Sequence, residues 1–464
     1  MSGIFGVVSK KDCREDLFYG TDYHSHLGTQ FAGLAVFSET LNKKIHDISF
    51  SQFKSKFFAE LPTLEGKKGI GVISDHNPQP ITISSKFGLF AICTNGFIDN
   101  ATNLINELLK EGESFSESFS GKINVTELVA KLINKGENLV DGIEKMFSKI
   151  SGSISLLILN KDGIWAARDR FGFSPLAIGE KENCIAVTTE TTAFLNLGFK
   201  IKKLLLPGEI VFINEKGLQQ KNSPGSKKQI CSFLWIYTGF PASNYEGINV
   251  EIVRERCGRF LAKNDDIKAD LVAGVPDSGT THAIGYAIES KIPFRRPLVK
   301  YTPGFDRSYT PILQDTRDLI AKMKLVAVKE IIQNKKIILC DDSIVRGTQL
   351  KNFTVHKLWE NGAKEIHLRI ACPPLMFPCK FNYSTRSISE LIARKAINII
   401  EKKDVTDISK YLDEESGHYK KMISWISNEL NVTSLKYQRL SDMINAIGLA
   451  KESLCIYCWT GKSI

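Results

Sequence analysis

Two adjacent carboxylates, Asp341 and Asp342, open the octet DDSIVRGT at the end of the apolar run IILC. An apolar run of this kind ends a buried strand, so both carboxylates stand where a sheet opens to ligand. Behind them, residues 343–348 form a turn whose backbone N–H groups and hydroxyls can hold a phosphate at the start of the following helix. Paired acids beside an anion cradle need something with hydroxyls or a metal between them, and a ribose phosphate with Mg²⁺ supplies both. Two other stretches carry reactive groups. MSGIFGVV places Ser2 behind a start methionine that is readily trimmed, which would give one residue both a hydroxyl nucleophile and an α-amine to act as its base. The same residues also read simply as a first buried strand. CIYC, with Cys455 and Cys458, can bring two thiolates onto one metal or cluster, a pattern shared by redox and zinc sites.

These groups need a scaffold. At 464 residues the chain exceeds the roughly 250–300 at which single cores stop growing, so two or three domains are expected. Hydrophobic residues make up 43% and charged residues 24%, as in an ordinary globular protein, and no apolar run approaches the ~18 residues of a membrane span. With no secretory leader pattern, the expected location is the cytoplasm. The net charge of +10 is dispersed, with no basic tail and no recognisable DNA-reading segment, so nucleic acid is not expected as a partner, nor is a membrane. Ten cysteines in such a compartment do not predict disulfides. Cys13, Cys93, Cys184, Cys257, Cys340 and Cys372 read as small core residues.

Residues 1–228 show short strand-like runs separated by turns, among them GIFGVV, FAGLAVF, GIGVIS, GLFAICTNG, GSISLLILNKDG and PGEIVFINEKG. Helical periodicity is confined here to NATNLINELLKEG and VTELVAKLINKG, which predicts a layered, β-rich α/β domain. QQKNSPGSKKQ, at 219–229, reads as a linker. Residues 229–400 change to strand, loop, helix, as in ADLVAGVPDSGTTHAIGYAIESK, which predicts a parallel sheet with its active loops at the strand C-termini. Gly362 is the expected C-cap of the helix after the octet. Residues 401–464 read as charged and helical.

The octet closely resembles the PRPP (phosphoribosyl pyrophosphate) loop of the type I phosphoribosyltransferases, and in particular that of the amidophosphoribosyltransferase family, which opens purine synthesis. The resemblance runs nearly the full length. It makes GVPDS, with Asp277 and Ser278, the pyrophosphate loop, and gives Ser278, Asp341 and Asp342 the Mg²⁺ positions. Ser343, Arg346, Gly347 and Thr348 become the 5′-phosphate loop. DRSY and KMKL resemble the flap that closes over substrate, so Arg307, Lys322 and Lys324 are assigned to pyrophosphate. It also implies a homo-oligomer, dimer or tetramer. Cys231, Cys379, Cys455 and Cys458 fall where iron-sulfur members place the four thiolates of a structural [4Fe–4S] cluster; zinc satisfies the same ligand count.

The resemblance also gives the first half the αββα architecture of a class II glutamine amidotransferase, an Ntn-hydrolase-like domain whose N-terminal cysteine attacks the glutamine amide. Here that cysteine is Ser2. The arginine that binds the glutamine carboxylate aligns with Ser74, the aspartate that binds its α-amine with Val125, and the arginine of the HRG motif with Leu27. Asn95 and Gly96 remain as an oxyanion hole. A charge-assisted hydrogen bond is worth roughly 1.5–3 kcal/mol, so loss of two weakens glutamine binding by several powers of ten. The expectation is therefore a transferase that adds an amine, ammonia first, to C1 of PRPP without a glutaminase of its own. Two alternatives stand beside it: a non-catalytic PRPP-binding regulator, and a pseudoenzyme that assembles with an active paralogue.

Overall fold

The computed structural model describes residues 2–301, 325–382, 385 and 387–462. It divides into two compact units, one of residues 1–231 with 242–247 and 380–383, the other of 232–241, 248–379 and 384–464.

The first unit is built on alternation. In β1 (Ser2–Ser9), Ile4 and Val8 point to one face and Phe5 and Val7 to the other, and all four are buried, so this strand must be covered on both sides. The strands that do this are β2 (Phe31–Phe37), β3 (Leu41–Asp47), β4 (Lys68–Ser74), β5 (Ile81–Ser85), β6 (Gly88–Ile98), β7 (Gly152–Asn160), β8 (Gly163–Ala167), β9 (Ala177–Lys181), β10 (Cys184–Thr188), β11 (Lys200–Leu204), β12 (Ile210–Asn214) and β13 (Gly217–Gln220). They form an antiparallel seven-stranded sheet in the order β11-β9-β10-β1-β4-β2-β3 and an antiparallel six-stranded sheet in the order β13-β12-β8-β7-β6-β5. Ile4, Ile70 and Val72 of the first sheet pack on Cys93, Leu157 and Val211 of the second. On the outer faces, Phe5 and Val7 meet Leu17 and Phe18 of helix Arg14–Asp22, and Ile92 and Ile158 meet Leu128, Ile133 and Met146. The result is the expected αββα layering. Helix Leu139–Lys149, absent from the sequence reading, buries Leu139, Ile143, Met146 and Phe147 in the same layer as Val125–Asn134. Residues 219–229, read as a linker, are instead tied into this unit. Gln229 N donates to Phe171 O at 2.8 Å, and Gly225 N to Pro207 O at 2.8 Å.

In the second unit β14 (Leu271–Gly274), β15 (Lys336–Asp341), β16 (Glu365–Ile370) and β17 (Ser434–Tyr437) form a parallel four-stranded sheet in that order. The helix after the octet closes with Gly362 at φ +81°, the left-handed position that glycine takes most easily. Strand β17 corrects the reading of residues 401–464 as helical. Four residues are too few to show a period, and the strand exists because it pairs with β16.

Candidate functional site

The C-terminal ends of β14 and β15 build the first site. Val275 N and the carbonyl of Cys340 are joined at 2.9 Å, which draws the GVPDS turn against the end of β15. A Cβ on Gly279 would stand 2.0 Å from Cys340 O, so only glycine permits this approach. The turn thereby delivers Ser278 Oγ to Asp341 Oδ1 at 2.7 Å, and the same carboxylate oxygen accepts Asp342 N–H at 2.9 Å. Ser343 Oγ donates to Asp342 Oδ1 at 2.5 Å. Asp341 and Asp342 are 8% and 5% exposed and, among the described residues, pair with no lysine or arginine. Burial pushes both carboxyls above the ordinary range, and for Asp341 the charge of Asp342 adds to it. Two buried carboxylates without an ion-pair partner among the described residues fit a hard cation such as Mg²⁺.

Gly347 holds the octet's turn at φ +77°, and Arg346 reaches outward to Glu390. Asp277 carries an ion pair with Lys300 at 2.9 Å, a contact that sequence reasoning missed. Lys300 ends strand Leu298–Lys300, and its only sequence signal is that position next to the flap segment. Arg307, Lys322 and Lys324 lie outside the described residues.

The second site lies in the first unit. Strand register places Ser2 directly opposite Ser74, with Ser2 Oγ donating to Ser74 Oγ at 3.3 Å and Ser2 N to Asn95 Oδ1 at 3.4 Å. Gly96, at φ +137°, lies so close to Ser153 O that a Cβ would stand 1.9 Å from it. Ser74 Oγ also accepts from His76 N, Asn77 N and Gln79 Nε2 at 3.3–3.4 Å. Gln79 in turn accepts from Thr94 N at 2.8 Å and from Thr126 Oγ1 at 3.2 Å. Val125 begins the helix that Asn124 caps through Thr126 N at 2.9 Å. Ser2, Ser74, Gln79, Thr94 and Asn95 are all buried. The hydroxyls and amides here are satisfied by one another, and neither Ser74 nor Val125 can supply charge for a zwitterion. Beneath them His24 is neutral. Its Nδ1 faces Gly20 O at 2.8 Å and its Nε2 Thr188 Oγ1 at 3.0 Å, and burial lowers its pKa to about 4.

Of the four cysteines, Cys231 belongs to the first unit and Cys379, Cys455 and Cys458 to the second. Within the second unit Met376 N and Phe377 N both donate to Cys458 O, at 2.9 and 3.0 Å, and Ser232 Oγ donates to Cys455 O at 2.9 Å. Backbone bonds thus tie the CIYC segment to the stretch that leads into Cys379, and a hydroxyl bond ties it to Ser232. Among the described residues no three or more His, Cys, Asp or Glu side chains are gathered as a metal-holding group. By chemistry the four thiols suit an iron-sulfur cluster or zinc. The other six cysteines are buried, as expected of core residues. Among the described residues no helix is long and apolar enough to cross a membrane.

Comparison with known proteins places these sites in context. Residues 68–196 match the family described as "Glutamine amidotransferase domain". The chain is 32% identical over 490 residues to an amidophosphoribosyltransferase of Methanocaldococcus jannaschii, covering 100% of this chain and 97% of that one. It is 31% identical over 478 residues to the amidophosphoribosyltransferase of Bacillus subtilis, covering 99% and 93%. Its structure matches that of the glutamine PRPP amidotransferase from B. subtilis, complexed with ADP and GMP, with a TM-score of 0.85 at 30% identity over 99% of this chain and 96% of that one. The αββα unit and the parallel-sheet unit are accordingly a glutamine amidotransferase fold and a phosphoribosyltransferase fold. With identity of this order along the full length of both chains, the protein belongs to the amidophosphoribosyltransferase family and is a transferase of that kind.

Proposed function

We propose that this chain joins ammonia to C1 of PRPP with release of pyrophosphate, and that it has lost a glutaminase of its own. The contrast between the two sites carries the reading: Asp341 and Asp342 form a buried acidic pair, bonded to Ser278 and without an ion-pair partner among the described residues, whereas Ser2 and Ser74 face each other among uncharged, internally bonded side chains. Asp341 and Asp342 would hold the ribose hydroxyls and, beside Ser278, Mg²⁺, which would offset charge on the departing pyrophosphate. Ser343, Arg346, Gly347 and Thr348 would seat the 5′-phosphate. Asp277, Arg307, Lys322 and Lys324 are assigned to the pyrophosphate end. The amine nitrogen bonds to C1 as the C1–O bond breaks, and pyrophosphate takes that electron pair. No side chain has to act as a covalent nucleophile, so these residues work by positioning and charge neutralisation. Cys231, Cys379, Cys455 and Cys458 are proposed as ligands of a [4Fe–4S] cluster with a structural role.

Pyrophosphate release from PRPP tests the reading. Ammonium at alkaline pH should support it and glutamine should not, and Asp341→Asn with Asp342→Asn should abolish it while the protein stays folded. Glutamate release from glutamine at a rate near the ammonium-dependent turnover would overturn the loss of glutaminase. Unchanged turnover in the double variant would overturn the assignment of substrate to these carboxylates.

A further inference from the structure

The segment 371–377, ACPPLMF, leaves β16 and is pinned at both ends within the second unit. Ala371 N donates to the carbonyl of Asp341 at 2.9 Å, while Met376 N and Phe377 N donate to the carbonyl of Cys458 at 2.9 and 3.0 Å. Residues 371–376 are buried throughout, and Pro373 and Pro374 fix two successive φ angles, which stiffens the segment. One strap therefore joins the backbone of a substrate carboxylate to the segment 454–462.

Side chains run beside it. Trp459 is 4% exposed and stacks on Phe233 with ring centroids 5.1 Å apart and planes at 15°. Its indole N–H is buried and makes no hydrogen bond among the described residues. Cys372, within the strap, is fully buried.

We infer that Trp459, whose stack on Phe233 anchors the residue next to the Cys458 carbonyl, is a positioning residue for the substrate carboxylates, acting through that carbonyl and the 371–377 strap, so that substrate binding and the order of segment 454–462 are coupled. This rests on the reading that Asp341 and Asp342 hold Mg²⁺ and PRPP. Coupling of this kind is reciprocal: what the segment does for substrate affinity, substrate must do for the segment.

Two measurements on the full chain, purified anaerobically, test it. Trp459→Ala should raise KM for PRPP at saturating Mg²⁺ by about tenfold, within the usual range of coupling between sites, with kcat little changed. Trp459→Phe, which keeps an aromatic ring to stack on Phe233, should restore KM to within about threefold. In the unmodified protein, Mg²⁺ with PRPP should slow amide hydrogen exchange across 454–462, a readout that survives even where the alanine variant fails to fold. A folded Trp459→Ala variant with unchanged KM, or exchange unaltered by bound PRPP, overturns the coupling alone. Failure of the unmodified protein to bind PRPP at all overturns the substrate assignment, and the coupling with it.

Discussion

One oxygen of Asp341 accepts from both Ser278 and the Asp342 amide, and Asp342 Oδ1 accepts from Ser343, so local bonds fix both carboxylates at the end of β15. The contrast with Ser2 is one of charge. Restoring the nucleophile by Ser2→Cys should leave glutamine hydrolysis undetectable, because Ser74 and Val125 would still lack the two charge-assisted bonds, worth together about 3–6 kcal/mol or roughly a hundredfold to ten-thousandfold in affinity. Assay of glutamate release, with a glutamine-analogue electrophile as a check on the new thiol, decides this. His24 carries a second consequence. Its folded pKa of about 4 lies below the ordinary value of 6.5, so the unfolded chain binds the extra proton first, and stability is lost as pH falls from about 6.5 towards 4. The loss between pH 7 and pH 5 should be about 2 kcal/mol, read as a shift in the urea midpoint, and His24→Asn should flatten it.

At the scale of elements, helix Thr280–Ser290 starts where it does because Gly279 lets the GVPDS turn lie on Cys340. Gly279→Ala would press a methyl group into a carbonyl and should cost about 1–3 kcal/mol of stability, seen as a lower Tm, together with a raised KM for PRPP as Ser278 is pushed from Asp341. Much of this element level was legible in advance. The apolar run before DDSIVRGT, the switch from alternating to strand–loop–helix rhythm, and Gly362 all point to local conformations set by neighbours in sequence. Helix Leu139–Lys149 was legible too, in the spacing of Leu139, Ile143, Met146 and Phe147, directly after helix Val125–Asn134. Strand β17 was not legible, because its four residues become a strand only through pairing with β16.

At the scale of the whole molecule, the cysteine set separates cluster from zinc. Anaerobically purified protein should be brown with about four irons per chain, and Cys455→Ser should remove the colour and expose the last residues to protease, whereas Cys13→Ser should not. Colourless protein with one zinc would keep the four-cysteine convergence and reject the cluster; protein without metal would reject both. By itself the sequence determined which chemistry is available: two acids beside a turn of a kind that can hold an anion, four thiols in three segments, and hydroxyl or apolar residues where the resemblance puts charge for a zwitterion. Those are properties of residue types and short spacings, and they hold whatever the chain does at long range. Only the tertiary structure decided which groups meet. Ser278 reaches Asp341 across 63 positions, Ser2 meets Ser74 across 72, Lys300 pairs with Asp277, and Gln79 seals the nook around Ser74. Such meetings depend on strand register and on how closely two backbones can approach, and both are settled by burying both faces of each sheet together.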